Sequence, residues 1–597
     1  LDPLCHYGCQ DTDYTLRLMI FFEKKLIDLG LYSTFRNLIM SASRVLTSVE
    51  KNGLYLDREF NNQLLETYKP KIDAARQAIY DLPRVKKFEK KYNQEKVDKY
   101  IQSIESELEE LDYNDPKDKR KIASREQKIS NIKAGIFTTK KEQELIRPIN
   151  LGSSVDLPAL MYSEEGFHFE VIKNNESGKP STDEETLTNL RLTVKKPDSP
   201  KAIFLDRLLE LRGLEKMYKT YIEGWNEKVQ DDDRLHGRFL IHGTTSGRLS
   251  SAEPNAQQIP KTSVDPNIKL QLKAPKGTLY IASDFSQAEL RIMAHLSGDE
   301  TYLNAFNSGQ DPHLAIAATK YHIPYEEALK IYEDENHPEH KIWKVRRKQA
   351  KQIAFGLIYG IGAKLLAVKL SDPKSGIIVT PEEAQKEMDI FFGQHPKLKT
   401  FLKKQEKFLR KNGHLVSLFG RKRRLPQIYS NDKGEEAYAL RLALNFPCQS
   451  AASDMCLFGS ILIYYLMRQG KLPSTKSVCL VHDANYQITK PENINIWSIY
   501  EMWQIYRNPL TKPYFGFQID DVTMDMEFVI GRSMAEELPF IPGYDYKKML
   551  EPDFSVEEYM EEHKKYKHIP ISEYKKRFNK QMKQYEKDFE RTHCMAS

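Results

Sequence analysis

The chain has little of several things that would have narrowed its chemistry. Among 597 residues there are six cysteines, none in paired spacing. A disulfide framework of the secreted kind is thereby excluded, and the thiols read as free in a reducing compartment. Cys5 and Cys9 flank His6, but a zinc site needs a second ligand pair and none follows. No continuous apolar run approaches the ~18 residues of a membrane span and no secretory leader is visible, so no membrane partner is expected. Charge of one sign barely accumulates: 90 Lys+Arg against 84 Asp+Glu leave +6, which permits a polyanionic partner without arguing for one. No Walker-type or kinase-type glycine loop occurs, and those phosphoryl-transfer classes lose ground. The first residue is Leu1, as in a fragment or a processed product.

What the chain does carry is concentrated in WKVRRKQAKQIAFGLIYG, Trp343 to Gly360. As a helix, this stretch places Arg347, Lys351, Phe355 and Tyr359 on one slowly drifting stripe, because four steps of 100° overshoot a turn by only ~40°. Two cations suit a polyphosphate, and two flat rings suit a base and its sugar. Ile353, Leu357 and Ile358 would anchor the opposite side in a core. Gly356, between the rings, would let a bulky ligand approach the backbone, at a helix cost of about 1 kcal/mol. A solvated basic helix face would look the same in isolation.

Around this stretch the periodicities are mostly helical. An amphipathic helix is expected after Asp11, and a second, through Val45, Leu46 and Val49, stops at Asn52-Gly53. Residues 58–148 are charged and helical. Ile101, Ile104, Leu108 and Leu111, a break at Asn114-Asp115-Pro116, then Ile122, Ile129, Ile132 and Ile136 predict an antiparallel helical hairpin with a narrow apolar seam. The basic cluster RVKKFEKKY before it reads first as a solvated face. Ser181 or Thr182 is expected to cap a helix starting at Glu184, and Leu208, Leu211, Leu214 and Tyr218 line another. TLYIASDFSQ has strand character up to Ser283, LVSLFGRKRRLP is a strand and turn, and KSVCLVHDANYQITK reads as two strands about a tight turn. Residues 385–412 are helical, and the chain beyond 541 is charged and Tyr-rich.

Asp284 and Asp483 thus stand at strand ends on either side of the basic-aromatic helix. Strand ends hold carboxylates rigidly, and two such groups can bridge a pair of divalent ions about 3.5–4 Å apart. With a polyphosphate-binding helix and stacking rings, this combination points to phosphoryl or nucleotidyl transfer.

From about residue 45 to 540 the chain resembles the family A DNA polymerases, the DNA polymerase I type. DFSQAELRIMAHLSGD (284–299) resembles the first palm motif, RRKQAKQIAFGLIYG (346–360) the fingers helix, and LVHDANYQ (480–487) the second palm motif. TSGRLSSAEPNAQQIP, LFGRKRRLP and RLALNFPCQSAASD match further segments in the right order. The resemblance implies that Asp284 and Asp483, with the carbonyl of Phe285, ligate two Mg²⁺ (or Mn²⁺). It implies that Arg347, Lys351 and His313 hold the triphosphate, with Lys351 protonating the leaving pyrophosphate. Phe355 would pack on the incoming nucleotide, Tyr359 would close the pocket, and Glu289, supported by Gln287, would be the steric gate against a ribose 2′-OH. Arg248, Asn255, Gln257, Arg441, Asn445, Gln449 and His482 match positions that contact primer or template, largely along the minor groove, where the acceptors are nearly the same for all base pairs.

Three departures stand out. Ala484 replaces the Glu that usually follows the second palm aspartate. Tyr7-x3-Asp11 resembles only the last motif of a 3′–5′ exonuclease, so this chain alone is not expected to proofread. The segment between Asp57 and Asn150 is longer than the family pattern, and 541–597 is extra. The expected fold is α+β, a right-hand polymerase: an exonuclease remnant at 1–55, a helical thumb at 56–240 with an inserted hairpin at about 84–140, a palm with an antiparallel sheet from 241–300 and 418–540, helical fingers at 301–417, and a C-terminal extension. The expected function is template-directed DNA synthesis from dNTPs on a primer-template, as a viral or organellar replicase. A gap-filling or lesion-bypass polymerase is the alternative, and a catalytically impaired primer-template binding protein the rival from another class. Expected partners include a processivity factor at the thumb insertion and a separate exonuclease-bearing polypeptide. Localisation is expected in the cytoplasm (the host's, if viral), with an organelle left open.

Overall fold

In the computed structural model, which describes residues 3–194, 196–371 and 379–566, the first helix, α1 (Pro3–Asp28), begins well before Asp11 and buries none of its residues. Tyr7 and Asp11 lie exposed on it. The next helix, α2 (Met40–Asn52), follows a π-helical turn at Thr34–Ile39. It buries Val45, Leu46 and Val49 and ends as the sequence suggests, with Gly53 at φ 60° returning its N–H to the carbonyl of Val49. Residues 34–52 supply core residues to the larger of two compact units, which comprises 1–61 and 225–597; the smaller comprises 62–224.

In the smaller unit, α3 (Pro83–Glu109) and α4 (Pro116–Lys133) form the expected hairpin. Asp115 caps α4 by accepting the N–H of Lys117 at 2.9 Å, with Pro116 at the first helical position, where a missing donor costs nothing. The seam is Val97, Ile101, Ile104 and Leu108 against Ile122, Ile129 and Ile132. Ile136 is exposed rather than part of it, because the helix ends three residues earlier. This seam is separate from the unit's main core, where Phe167 and Phe204 stack at 4.2 Å among Leu157, Leu160, Leu187 and Leu208. The helix at Glu184 is capped by Asp183, not by Ser181 or Thr182: its carboxylate accepts the N–H of Thr186 at 2.7 Å.

The larger unit is built around a five-stranded antiparallel sheet, beside which three two-stranded ribbons are described. The elements of that sheet and of the helices that carry the site are, in chain order, β1 (Leu279–Phe285), α5 (Ala288–Ser297), α6 (Pro312–Lys320), α7 (His340–Ile358), α8 (Lys433–Arg468), β2 (Lys476–Val481), β3 (Ala484–Thr489), β4 (Met526–Gly531) and β5 (Leu538–Pro539). The strand order is β5-β4-β1-β3-β2, so β1 is central and β2 an edge. The helices and this sheet make the chain α+β. One core joins the sheet to α5 and α8 through Phe285, Leu290, Met293, Cys448, Ala452 and Met455. By length and mean hydropathy α8 could cross a membrane, which corrects the reading of the linear sequence, but 72% of its apolar window is buried inside the fold. It is a core helix. Two helices, Pro381–Gln394 and Pro396–Asn412, replace the single helical stretch expected at 385–412. Of the 541–597 segment, residues 567–597 lie outside the described residues.

Candidate active site

Every residue of β1 is buried except Asp284. The strand runs through Phe285, two residues further than its apolar pattern suggests, so Asp284 is held inside the ladder rather than at its end. Its cross-strand neighbours are Ala484 on β3 and Glu527 on β4. Asp483 occupies the two-residue turn between β2 and β3, closed by the pair Val481 and Ala484. The first turn residue, His482, has φ 52°, a left-handed conformation that L-residues enter at a cost of about 1 kcal/mol or more. The N–H of Phe285 points at the carbonyl of Asp483 at 3.4 Å, tying the two acidic segments together. Burial, then the neighbouring Asp483 and Glu527, push the Asp284 carboxyl up to about 6. Burial also raises Asp483, whose Oδ1 is buried without a hydrogen-bond partner. Two carboxylates held together at an electrostatic cost, one with an orphaned oxygen, fit a site for divalent cations. Among the described residues no group of three or more His, Cys, Asp or Glu is placed to hold a metal. Ala484 is buried and offers no carboxylate, and Asp525 is engaged by the indole N–H of Trp503 at 3.2 Å.

The basic-aromatic stripe forms as its spacing predicts, on α7, with Ile353, Leu357 and Ile358 buried behind it. Arg347 sends its Nε (3.1 Å) and an Nη (2.6 Å) to one oxygen of Asp311. Burial works to raise the Asp311 carboxyl, but the bond and charge of Arg347 prevail and hold it low. The other Asp311 oxygen accepts the N–H of Leu314 at 2.7 Å, capping α6, so one carboxylate fixes both the arginine and the helix that carries His313. His313 is 1% exposed and neither ring nitrogen has a partner. Burial pushes its pKa down to about 4, which keeps the ring neutral at pH 7. Its ring lies 5.7 Å from that of Phe355, which stacks on Tyr359 at 6.2 Å, and the Lys351 ammonium stands 5.7 Å from the Phe355 ring. Gly356 does not open the backbone to a ligand. It is buried, and a Cβ there would meet Ile361 at 3.4 Å and Leu366 at 3.6 Å, so its role is close packing.

Gln287, at φ 58°, starts α5 and has a buried, unpartnered Oε1. Two residues on, the carboxylate of Glu289 is 9% exposed and accepts from both the Arg248 guanidinium and the Tyr359 hydroxyl. Burial and then Glu289 raise the Tyr359 phenol far above its ordinary value, so it remains a donor. This chain of contacts links the end of α7 to α5, the helix that follows β1.

Arg441, Asn445 and Gln449 occupy successive turns of α8. Arg441 is exposed, and Asn445 has a buried, unpartnered Oδ1. Gly360, at φ 68°, lies against Arg441, where a Cβ would come within 3.3 Å of its Cγ. Asn255 spends its Oδ1 on the N–H of Gln257 at 3.0 Å. Gln257 is 8% exposed, and its amide donates to the carbonyl of Leu480 and accepts the N–H of His482 at 2.9 Å. Each end of the amide thus makes a bond within the protein. Two further groups escaped the sequence reading. Asp311 was signalled only by its place before Pro312 at a helix start. Arg421 donates three hydrogen bonds (2.8–3.0 Å) to the fully buried carboxylate of Asp454, and nothing local in the sequence joins them.

The family model described as DNA polymerase family A matches residues 117–494, well over half of the chain, from the second helix of the smaller unit's hairpin to beyond Asp483. The chain belongs to DNA polymerase family A. Among its relatives, a thermostable DNA polymerase I from Thermus aquaticus is 32% identical over 319 residues, 53% of this chain and 35% of the relative. A DNA polymerase I from Borreliella burgdorferi is 27% identical over 485 residues, 81% of this chain and 43% of the relative. The family A chain thus spans well under half the length of these relatives. Its fold is similar to the POL domain of Pol1 from M. smegmatis, solved in complex with DNA primer-template and dNTP. The TM-score is 0.64 at 24% identity, covering 87% of this chain and 74% of that one.

Proposed function

We propose that this chain is a template-directed DNA polymerase that adds dNTPs to a primer 3′-OH with a replicative role. In this reading the sheet with α5 and α8 is the palm, 301–417 the fingers and the smaller unit the thumb. The observation that carries it is the convergence of Asp284, Asp483 and the α7 stripe, joined through Glu289 and Tyr359. When bound between the two carboxylates, Mg²⁺ ions would activate the primer hydroxyl and offset charge on pyrophosphate. The protein's own groups do the rest. Lys351 and the free face of Arg347 bind the triphosphate, with neutral His313 donating a hydrogen bond. Lys351 delivers a proton to the leaving group. Phe355 and Tyr359 pack on the incoming nucleotide. Glu289, pinned by Arg248 and Tyr359, fills the space that a 2′-OH would need. Arg441, Asn445, Gln449, Arg248 and His482 contact the primer-template.

Incorporation of one labelled dNTP on a primer-template by the purified chain tests this reading. Wild type should extend the primer, and Asp483→Asn should bind the same duplex without extending it. Extension that survives Asp483→Asn would remove the two-carboxylate site. Ala484 supports the rival, a primer-template binding protein; no extension in Mg²⁺ or Mn²⁺ by the wild type would decide for it.

A further inference from the structure

We propose that Gln257 is a positioning residue for Asp483, acting through the β2–β3 turn, and not a contact to nucleic acid. This rests on the polymerase reading of the acidic pair. β2 is an edge strand, and a two-residue hairpin leaves outward-facing groups at its end. In this register the carbonyl of Leu480 and the N–H of His482 both point away from β3. A neighbouring strand would satisfy them, but among the described residues none pairs with that side of β2. The Gln257 side chain takes its place. Its amide gives one donor to Leu480 and one acceptor to His482, as a peptide group of an additional strand would.

The bond to His482 falls on the residue held at φ 52°, immediately before Asp483. Without it, the turn loses a bond that offsets the left-handed backbone and can relax, carrying Asp483 with it. The support behind Gln257 is also built. Its N–H is capped by Asn255 at 3.0 Å, and the Ser251 hydroxyl accepts the N–H of Ala256 at 3.2 Å and donates to Pro254 at 3.2 Å. Residues 251–257 thus form a brace whose working end is one buried amide. Buried to 8% exposure and bonded at each end to the β2–β3 turn, this amide faces the turn.

The test compares wild type, Gln257→Met and Gln257→Asn, which keeps an amide one methylene too short to span both partners. Three quantities are read: primer-template Kd at fixed salt, the incorporation rate at saturating DNA and dNTP, and Mn²⁺ half-saturation. The last is followed by electron paramagnetic resonance on a dideoxy-terminated primer-template, so that it needs no turnover. The expected result is a Kd within about twofold of wild type, a saturated rate about tenfold lower, and a several-fold higher Mn²⁺ half-saturation, the order of two lost hydrogen bonds. The Gln257→Met loss of Mn²⁺ affinity should shrink in a His482→Gly background, because glycine enters the left-handed turn without help. If Gln257→Met does not fold, as judged by thermal unfolding, Gln257→Asn carries the same expectations. A weakened Kd with an unchanged saturated rate and Mn²⁺ affinity would overturn the proposal, as would additive effects of Gln257→Met and His482→Gly. If the wild type incorporates nothing, the polymerase reading fails, while the Mn²⁺ and coupling measurements still decide the role of Gln257.

Discussion

Asp284→Asn separates the electrostatics of the acidic pair from turnover. In the metal-free protein the Asp284 carboxyl ionises near 6, raised from 3.8 by burial first and then by Asp483 and Glu527. Taken whole, a shift of about two units would correspond to ~3 kcal/mol. The side chain is exposed to water, however, and screening reduces the figure to about 1 kcal/mol. The sign follows from the direction of the shift. Below the unfolded value both states are protonated and no cost exists; as pH rises through the folded value the cost becomes complete and stays. Asp284→Asn should therefore make the metal-free protein more stable by about 1 kcal/mol near pH 7.5, and the gain should fade towards pH 4. All four tryptophans, Trp225, Trp343, Trp497 and Trp503, are buried in the larger unit. Urea unfolding in EDTA, followed by tryptophan fluorescence, thus reports on the unit that holds the site. A variant no more stable than wild type near pH 7.5, or a gain undiminished near pH 4, would refute the claim that this carboxylate is held at a cost.

Lys351→Ala should lower kcat/KM for dNTP by several kcal/mol of transition-state stabilisation while primer-template Kd holds; an unchanged kcat/KM would remove its role. Glu289→Ala should admit ribonucleotides, measured as the ratio of rNTP to dNTP incorporation, since it empties the volume that Arg248 and Tyr359 now pin. Ala484→Glu restores a carboxylate on the strand opposite Asp284 and should lower the Mg²⁺ concentration for half-maximal extension; a higher requirement would count against a lean two-carboxylate site. Replacing residues 97–137 by a short linker removes a seam that is separate from the main core of its unit. The remainder should fold, and product length per binding event should drop; unaltered length across several salt concentrations would make the hairpin a passive insertion.

The sequence alone determined whatever depends on spacing along one element. The α7 stripe followed from a four-residue repeat, the hairpin seam from isoleucines and leucines in helical register, and the end of α2 from Asn52-Gly53, because helical geometry is local. The candidate site was legible for a related reason: its groups lie in short motifs whose order matches the family. Only the tertiary structure decided which partner each polar group found. Gly356 reads as an opening until Ile361 and Leu366 are seen against it. The motif match marks Gln257 for DNA, but only the fold shows the end of β2 arriving from more than 220 residues away to bond each end of its amide. Asp311 with Arg347, and Arg421 with Asp454, are likewise pairs that no local period encodes. The placement of Asp284 inside β1, rather than at its end, was settled by pairing with β3 and β4. Strand limits and amide partners are chosen by whichever backbone or side chain arrives across the fold, and a linear pattern carries no record of that arrival.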